Sequence, residues 1–199
     1  IAIYRKILNK NPNHKASIRN LKNLFIGHRK YEEGIKFYKE RLENKINDHK
    51  DYADLGEFYY LNGQNSEANK TWEIGMKKFI DNRTYYRSMF AVYSKYGLNK
   101  GVNLLLEIGR KRFGASFLTY ESGAYYQAIK AYDWAMDQFV LNLVHNSRQI
   151  GIIERRILVM SDDENALPII EEKLVHASRN YPTKTLDILS QFYFKQQKY

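Results

Sequence analysis

Residues 73–79 read EIGMKKF and residues 107–113 read EIGRKRF, two near-identical stretches 34 residues apart. The same offset pairs Gly63 with Gly97, Asn69 with Asn103, Tyr59 with Tyr93 and Tyr52 with Tyr86. A fixed period of this length marks a repeat protein. One repeat cannot bury its apolar face alone, so neighbouring repeats stack and the stack becomes the folding unit.

Each period holds two helical stretches. In the middle unit Tyr52, Leu55, Gly56 and Tyr59 recur at spacings that put them on one helical face. A turn follows at Asn62–Asn65, with Gly63 suited to positive φ after a helix end. Asn65 or Ser66 is expected to cap the second helix, whose buried stripe is Ala68, Trp72, Gly75 and Met76. Gly56, Ala68 and Gly75 fall where two helices cross, and only small side chains permit close approach there. With 3 Pro and 11 Gly among 199 residues, the composition suits helices better than a loop-rich β fold. No apolar run is long enough to span a membrane as a helix.

These positions resemble the tetratricopeptide repeat. Residues 49–82 carry its large, Leu, small and aromatic positions as Tyr52, Leu55, Gly56 and Tyr59, then Gly63, Ala68, Trp72 and Gly75. They depart from it at Asn65 and Ile80, where an aromatic residue and Pro are usual. Residues 83–115 match at Tyr86, Met89, Tyr93, Gly97, Val102, Leu106 and Gly109, with Phe90 at the small position. Residues 15–48 match at Ile18, Leu21, Phe25, Tyr31, Gly34, Tyr38 and Leu42. Lys22 stands at the small position there, so that helix contact must be looser or shifted. A one-residue slip brings in a fourth unit, 116–149, through Ser122, Gly123, Tyr126, Tyr132, Ala135, Phe139 and Leu143. A fifth, 150–182, is degenerate, and Pro168 belongs in the first turn of its second helix.

The resemblance implies an all-α, right-handed solenoid of stacked antiparallel helix pairs, a tetratricopeptide-like superhelix over 1–199. Half-units 1–14 and 183–199 flank the five units, and the whole is expected to belong to a longer chain. Half-a-tetratricopeptide repeats of RNA-processing factors share the helix pair, and Arg41 in FYKERLE has their flavour. The small residues at Gly56, Ala68 and Gly75 favour the standard repeat. A plain helical bundle does not explain the 34-residue near-identity.

No phosphate loop, dinucleotide fingerprint or nucleophile elbow is present, so no catalytic residue and no cofactor are expected. Adjacent acidic pairs such as Glu171-Glu172 diverge on a helix and do not converge on one substrate. The five histidines are scattered and Cys is absent, so no metal is expected.

The resemblance instead implies a concave groove lined by the first helix of each unit. The candidate binding residues are Arg19, Asn20, Asn23, Lys50, Asp54, Glu57, Tyr60, Arg87, Tyr120 and Glu121. Arg and Asn can bond an extended peptide's backbone or carboxylates, and Tyr adds flat apolar area. One subfamily clamps the carboxylate of chaperone tails. Arg19 and Asn23 fit part of that clamp, but Asp54, Thr84 and Ser88 stand where Asn and two cations are required. Chaperone-tail binding is therefore not expected. The groove mixes signs, which argues against a simple acidic or basic tail.

The expected function is a protein–protein interaction scaffold holding a peptide or partner protein. Nucleic acid is the alternative partner, because the net charge of +10 is concentrated in residues 1–50, with 13 Lys/Arg against 5 Asp/Glu. A docking or regulatory segment of a larger enzyme is a further alternative. The last helix carries an apolar stripe of Leu186, Leu189, Phe192 and Tyr193. Further repeats or self-association through this end are expected, with Tyr199 opening another helix.

Overall fold

The computed structural model describes residues 1–44 and 48–197, apart from the side chain of Ser147. Residues 45–47 of the first unit and Tyr199, expected at the start of another helix, lie outside the described residues. Every regular element among the described residues is helical. In chain order these are α1 (Ala2–Lys10), α2 (Lys15–Gly27), α3 (Tyr31–Glu43), α4 (His49–Leu61), α5 (Asn65–Lys78) and α6 (Arg83–Lys95). There follow α7 (Asn99–Phe113), α8 (Thr119–Ala128), α9 (Tyr132–His145), α10 (Ile150–Met160), α11 (Leu167–Asn180) and α12 (Pro182–Lys195). A short 3-10 turn, Ser147–Gln149, precedes α10.

Helices α2, α4 and α6 begin at Lys15, His49 and Arg83, and α3, α5 and α7 at Tyr31, Asn65 and Asn99. Both series advance by the period of the sequence, so the repeat is a repeat of helix pairs. The chain divides into two compact units, Ile1–Gly109 and Arg110–Tyr199. In the first, each helix from α1 to α5 packs on the next, and α4 also packs on α6. In the second, α8 packs on α9, α11 on α9 and α12, and α10 on α8, α9 and α12. Contact with the next helix and the next but one is the pattern of a helical repeat.

The small residues do what their positions require. A methyl group on Gly56 would overlap the Trp72 indole, and one on Gly75 would overlap the Tyr85 hydroxyl. The Trp72 Nε1–H donates to the Ala53 carbonyl at 3.2 Å, and the Tyr85 hydroxyl donates to the Trp72 carbonyl at 3.0 Å. Three consecutive helices are thus linked through Trp72, by its indole on one side and its carbonyl on the other. Met76, expected in this stripe, is only half-buried, while Thr71 is buried. Phe79 packs against Tyr52 and Tyr85, with ring centroids 5.7 and 5.6 Å apart, and forms the seam to the next pair.

The turn between paired helices recurs with one backbone form. Gly63 (φ 76) and Gly97 (φ 63) occupy the left-handed region, and the following residues, Gln64 and Leu98, donate back to the carbonyls of Tyr59 and Tyr93 at 2.9 Å each. The bonds satisfy carbonyls that a helix end leaves open. Arg29 (φ 53) and Lys130 (φ 59) hold the same place in two other pairs, with Lys30 bonded back to Phe25 and Ala131 to Tyr126. Neither Asn65 nor Ser66 caps α5. Asn65 is already its first residue, Gln64 precedes it, and no side chain bonds the helix start. Asp48 and Asn82 cap α4 and α6 instead. Pro168 lies in the first turn of α11 and Pro182 opens α12.

Candidate partner-binding face

In the first unit α2, α4 and α6 are joined by charged side chains. On α2, Arg19, Lys22, Asn23 and Ile26 share one face; on α4, Lys50, Asp54 and Glu57 do; on α6, Thr84, Ser88, Ala91 and Lys95 do. Lys22 Nζ pairs with the Asp54 carboxylate and lies 2.5 Å from Glu57 Oε2. Glu57 Oε1 accepts from Lys95 Nζ at 2.9 Å and from the Tyr96 hydroxyl at 2.7 Å. The three faces therefore lie side by side, α4 in the middle.

Burial and pairing compete at this network. Burial penalises the Glu57 charge, but Lys22, Lys95 and Tyr96 outweigh it and hold the carboxyl below its ordinary range. Burial likewise opposes the charge of Lys22, yet Asp54 and Glu57 hold its ammonium above the usual lysine value. At Asp54 burial is the largest influence and the carboxyl sits above its ordinary value despite Lys22. Stability drawn from Glu57 is present above the ordinary glutamate range and is lost as pH falls through its lowered pKa.

The expected binding residues divide by accessibility. Arg19, Asn23, Lys50 and Arg87 are exposed, and Asn20 and Tyr60 half-buried. The Tyr60 ring packs on Trp72 and Tyr96, with centroids 6.3 and 5.2 Å away. Asp54 is mostly covered and Glu57 has a side chain only 2% exposed. Both are committed to contacts within the chain. Among the described residues, the side chains of Arg19 and Asn23 and the ammonium of Lys50 have no hydrogen-bond or ion-pair partner.

In the second unit, α8 supplies Tyr120 and Glu121, both half-buried. Arg156 on α10 stacks its guanidinium over the Tyr120 ring, 5.1 Å from the centroid, and bonds Gln127 Oε1 at 3.0 Å. Gln127 returns a bond to the Arg156 carbonyl at 3.2 Å. First helices are again tied to each other by polar side chains. In the α12 stripe Phe192 is fully buried, whereas Leu186 is exposed.

Spacing alone does not reveal the pairings that fix this face, those of Lys22, Tyr96 and Arg156 and the buried pair Arg41–Asp51. Arg41 Nε donates to Asp51 Oδ1 at 2.9 Å, and Arg41 Nη1 to the Pro12 carbonyl at 2.6 Å. The signal for Lys22 was its presence where a small residue is usual: the side chain leaves the helix crossing and finds acids one repeat away. Among the described residues no group of three or more His, Asp or Glu could hold a metal ion. Nor, among them, is any helix long and apolar enough to cross a membrane.

No protein-family model matches the chain, and no curated protein is significantly similar to it. The fold defines an all-helical protein of consecutively packed helices in a repeat-like arrangement.

Proposed function

We propose that the chain is a tetratricopeptide-like, right-handed solenoid that acts as a protein–protein interaction scaffold. The row of first helices receives an extended segment of a partner protein. The observation that carries this reading is the lateral stapling of α2, α4 and α6 through Lys22, Glu57 and Lys95. Stapled helices present a pre-ordered face, which lowers the ordering cost of binding. Arg19, Asn23 and Lys50 stand on that face with donors to spare. The aromatic rings beside it are already packed: Tyr60 on Trp72 and Tyr96, and Trp72 on Tyr93. That favours a peptide over stacked bases.

The test is a peptide array followed by mapping of any bound peptide on the isotope-labelled protein. Amide shifts concentrated in α2, α4 and α6, with weaker binding after Asn23→Ala, are expected. Shifts confined to α3, α5 and α7 defeat the reading.

A further inference from the structure

The ion pairs change which charges the first-helix face shows to a partner. Helices α2 and α6 contain no Asp or Glu, and the carboxylates of α4 are Asp51, Asp54 and Glu57. All are consumed internally. Asp51 is buried against Arg41 of α3. Asp54 is held by Lys22, and Glu57 by Lys22, Lys95 and Tyr96. The neighbouring Asp48 caps the start of α4 by accepting from the Lys50 amide at 3.1 Å, and sits 2.9 Å from the His49 ring. A carboxylate in contact with an ammonium leaves a dipole whose field falls off quickly, whereas unpaired cations act over a Debye length.

Against that paired background stand Arg19 and Lys50, exposed and without a carboxylate partner among the described residues. Lys95 adds no uncompensated charge: its side chain is 52% exposed, but its ammonium is paired with Glu57. Although mixed in sequence, the face is cationic in structure.

Resting on the proposed scaffold role, we infer that the partner segment is acidic: an extended stretch of protein whose carboxylates meet Arg19 and Lys50. Arg19 offers a planar fork to a carboxylate, and Lys50 a point charge. Asn23, one turn from Arg19, donates to the segment's backbone. The electrostatic attraction raises the association rate and selects sign, while the backbone contacts are shared by any extended peptide. Nothing in this arrangement requires a free C-terminal carboxylate, so internal acidic segments are accepted.

The experiment is fluorescence anisotropy at low salt with the full chain and three labelled probes. These are a capped peptide of alternating Glu and Ala, the same peptide with Gln for Glu, and oligouridylate of matching length. The Glu peptide is expected to bind at least about tenfold more tightly than the Gln peptide, and to weaken steeply with added salt. The double change Arg19→Gln and Lys50→Gln, at exposed positions and checked by circular dichroism, is expected to weaken the Glu peptide about tenfold. The control pair Lys6→Gln and Lys10→Gln, on α1, should change it by less than about twofold.

Equal affinity for the Glu and Gln peptides, both weakened by the Arg19 and Lys50 changes, removes the acidic preference but leaves the scaffold role standing. Glu-peptide binding as sensitive to the α1 pair as to the face pair overturns the inference, since the attraction is then general charge. Oligouridylate binding tighter than the Glu peptide and lost with the face pair overturns it in favour of nucleic acid. Absence of binding by the Glu peptide also overturns it.

Discussion

Lys95 Nζ lies 2.9 Å from Glu57 Oε1, 38 residues away in the chain, and ties α6 to α4. The other oxygen of the same carboxylate lies 2.5 Å from Lys22 on α2. One acid in the middle repeat is therefore shared by cations of both neighbours. Glu57→Gln keeps the shape and removes the charge, leaving Lys22 with Asp54 alone. The expected loss is about 2–3 kcal/mol, below the full cost of breaking a buried pair because Lys95 is half exposed. Urea denaturation measures it, and a loss under about 0.5 kcal/mol would mean that the network is not a staple.

Gly56 faces the Trp72 indole without room for a methyl group. Gly56→Ala must push the ring away and disturb its bond to Ala53, for an expected loss of about 2–4 kcal/mol. Gly27, with open space around its Cβ position, is the control. Gly27→Ala is expected to change stability by less than about 1 kcal/mol. Equal effects at the two sites, compared by thermal denaturation, refute the close approach.

Asp51 is pushed up to about 6 from an ordinary 3.8, burial being the largest cause and Arg41 the main opposing one. Its folded pKa exceeds its unfolded one, so the folded chain holds this proton more tightly. The associated stability is fully present below about pH 4 and is lost as pH rises to about 6, a total of about 3 kcal/mol. Carbon-detected NMR of the Asp51 carboxyl should titrate near 6. A midpoint at the ordinary aspartate value contradicts the burial argument. Asp51→Asn, if it folds, should abolish this pH dependence.

Arg29 occupies the left-handed backbone region that glycine fills at Gly63 and Gly97. Without a partner to hold it there among the described residues, the side chain brings only steric cost. Arg29→Gly is therefore expected to stabilise by about 0.5–1 kcal/mol, a rare gain from adding glycine. A lowered melting temperature would count against the shared turn geometry.

The helix pairs were legible because local chemistry repeats. Tyr52, Leu55 and Tyr59 share a face by spacing alone, Gly63 marks the turn, and Gly56 and Gly75 mark close crossings. The start of α5 departs from the expected cap because Asn65 has the chemistry of a cap but the preceding turn, bonded from Gln64 to Tyr59, already places it inside the helix. The turns at Arg29 and Lys130 were invisible, since neither residue type advertises positive φ.

The candidate face was legible as positions and not as charges. Periodicity places Arg19, Lys50, Asp54 and Glu57 on first helices, because a helix of regular pitch leaves no choice of side. Which of them remain available depends on side chains carried by other helices. Lys22, Lys95 and Arg41 reach across helices to Glu57, Asp54 and Asp51, and the strength of such pairs depends on burial, which sequence spacing does not contain. By itself the sequence determined the helical period and the residues of each face. Only the tertiary structure decided that the acids turn inward to neighbouring cations and leave Arg19 and Lys50 to the solvent.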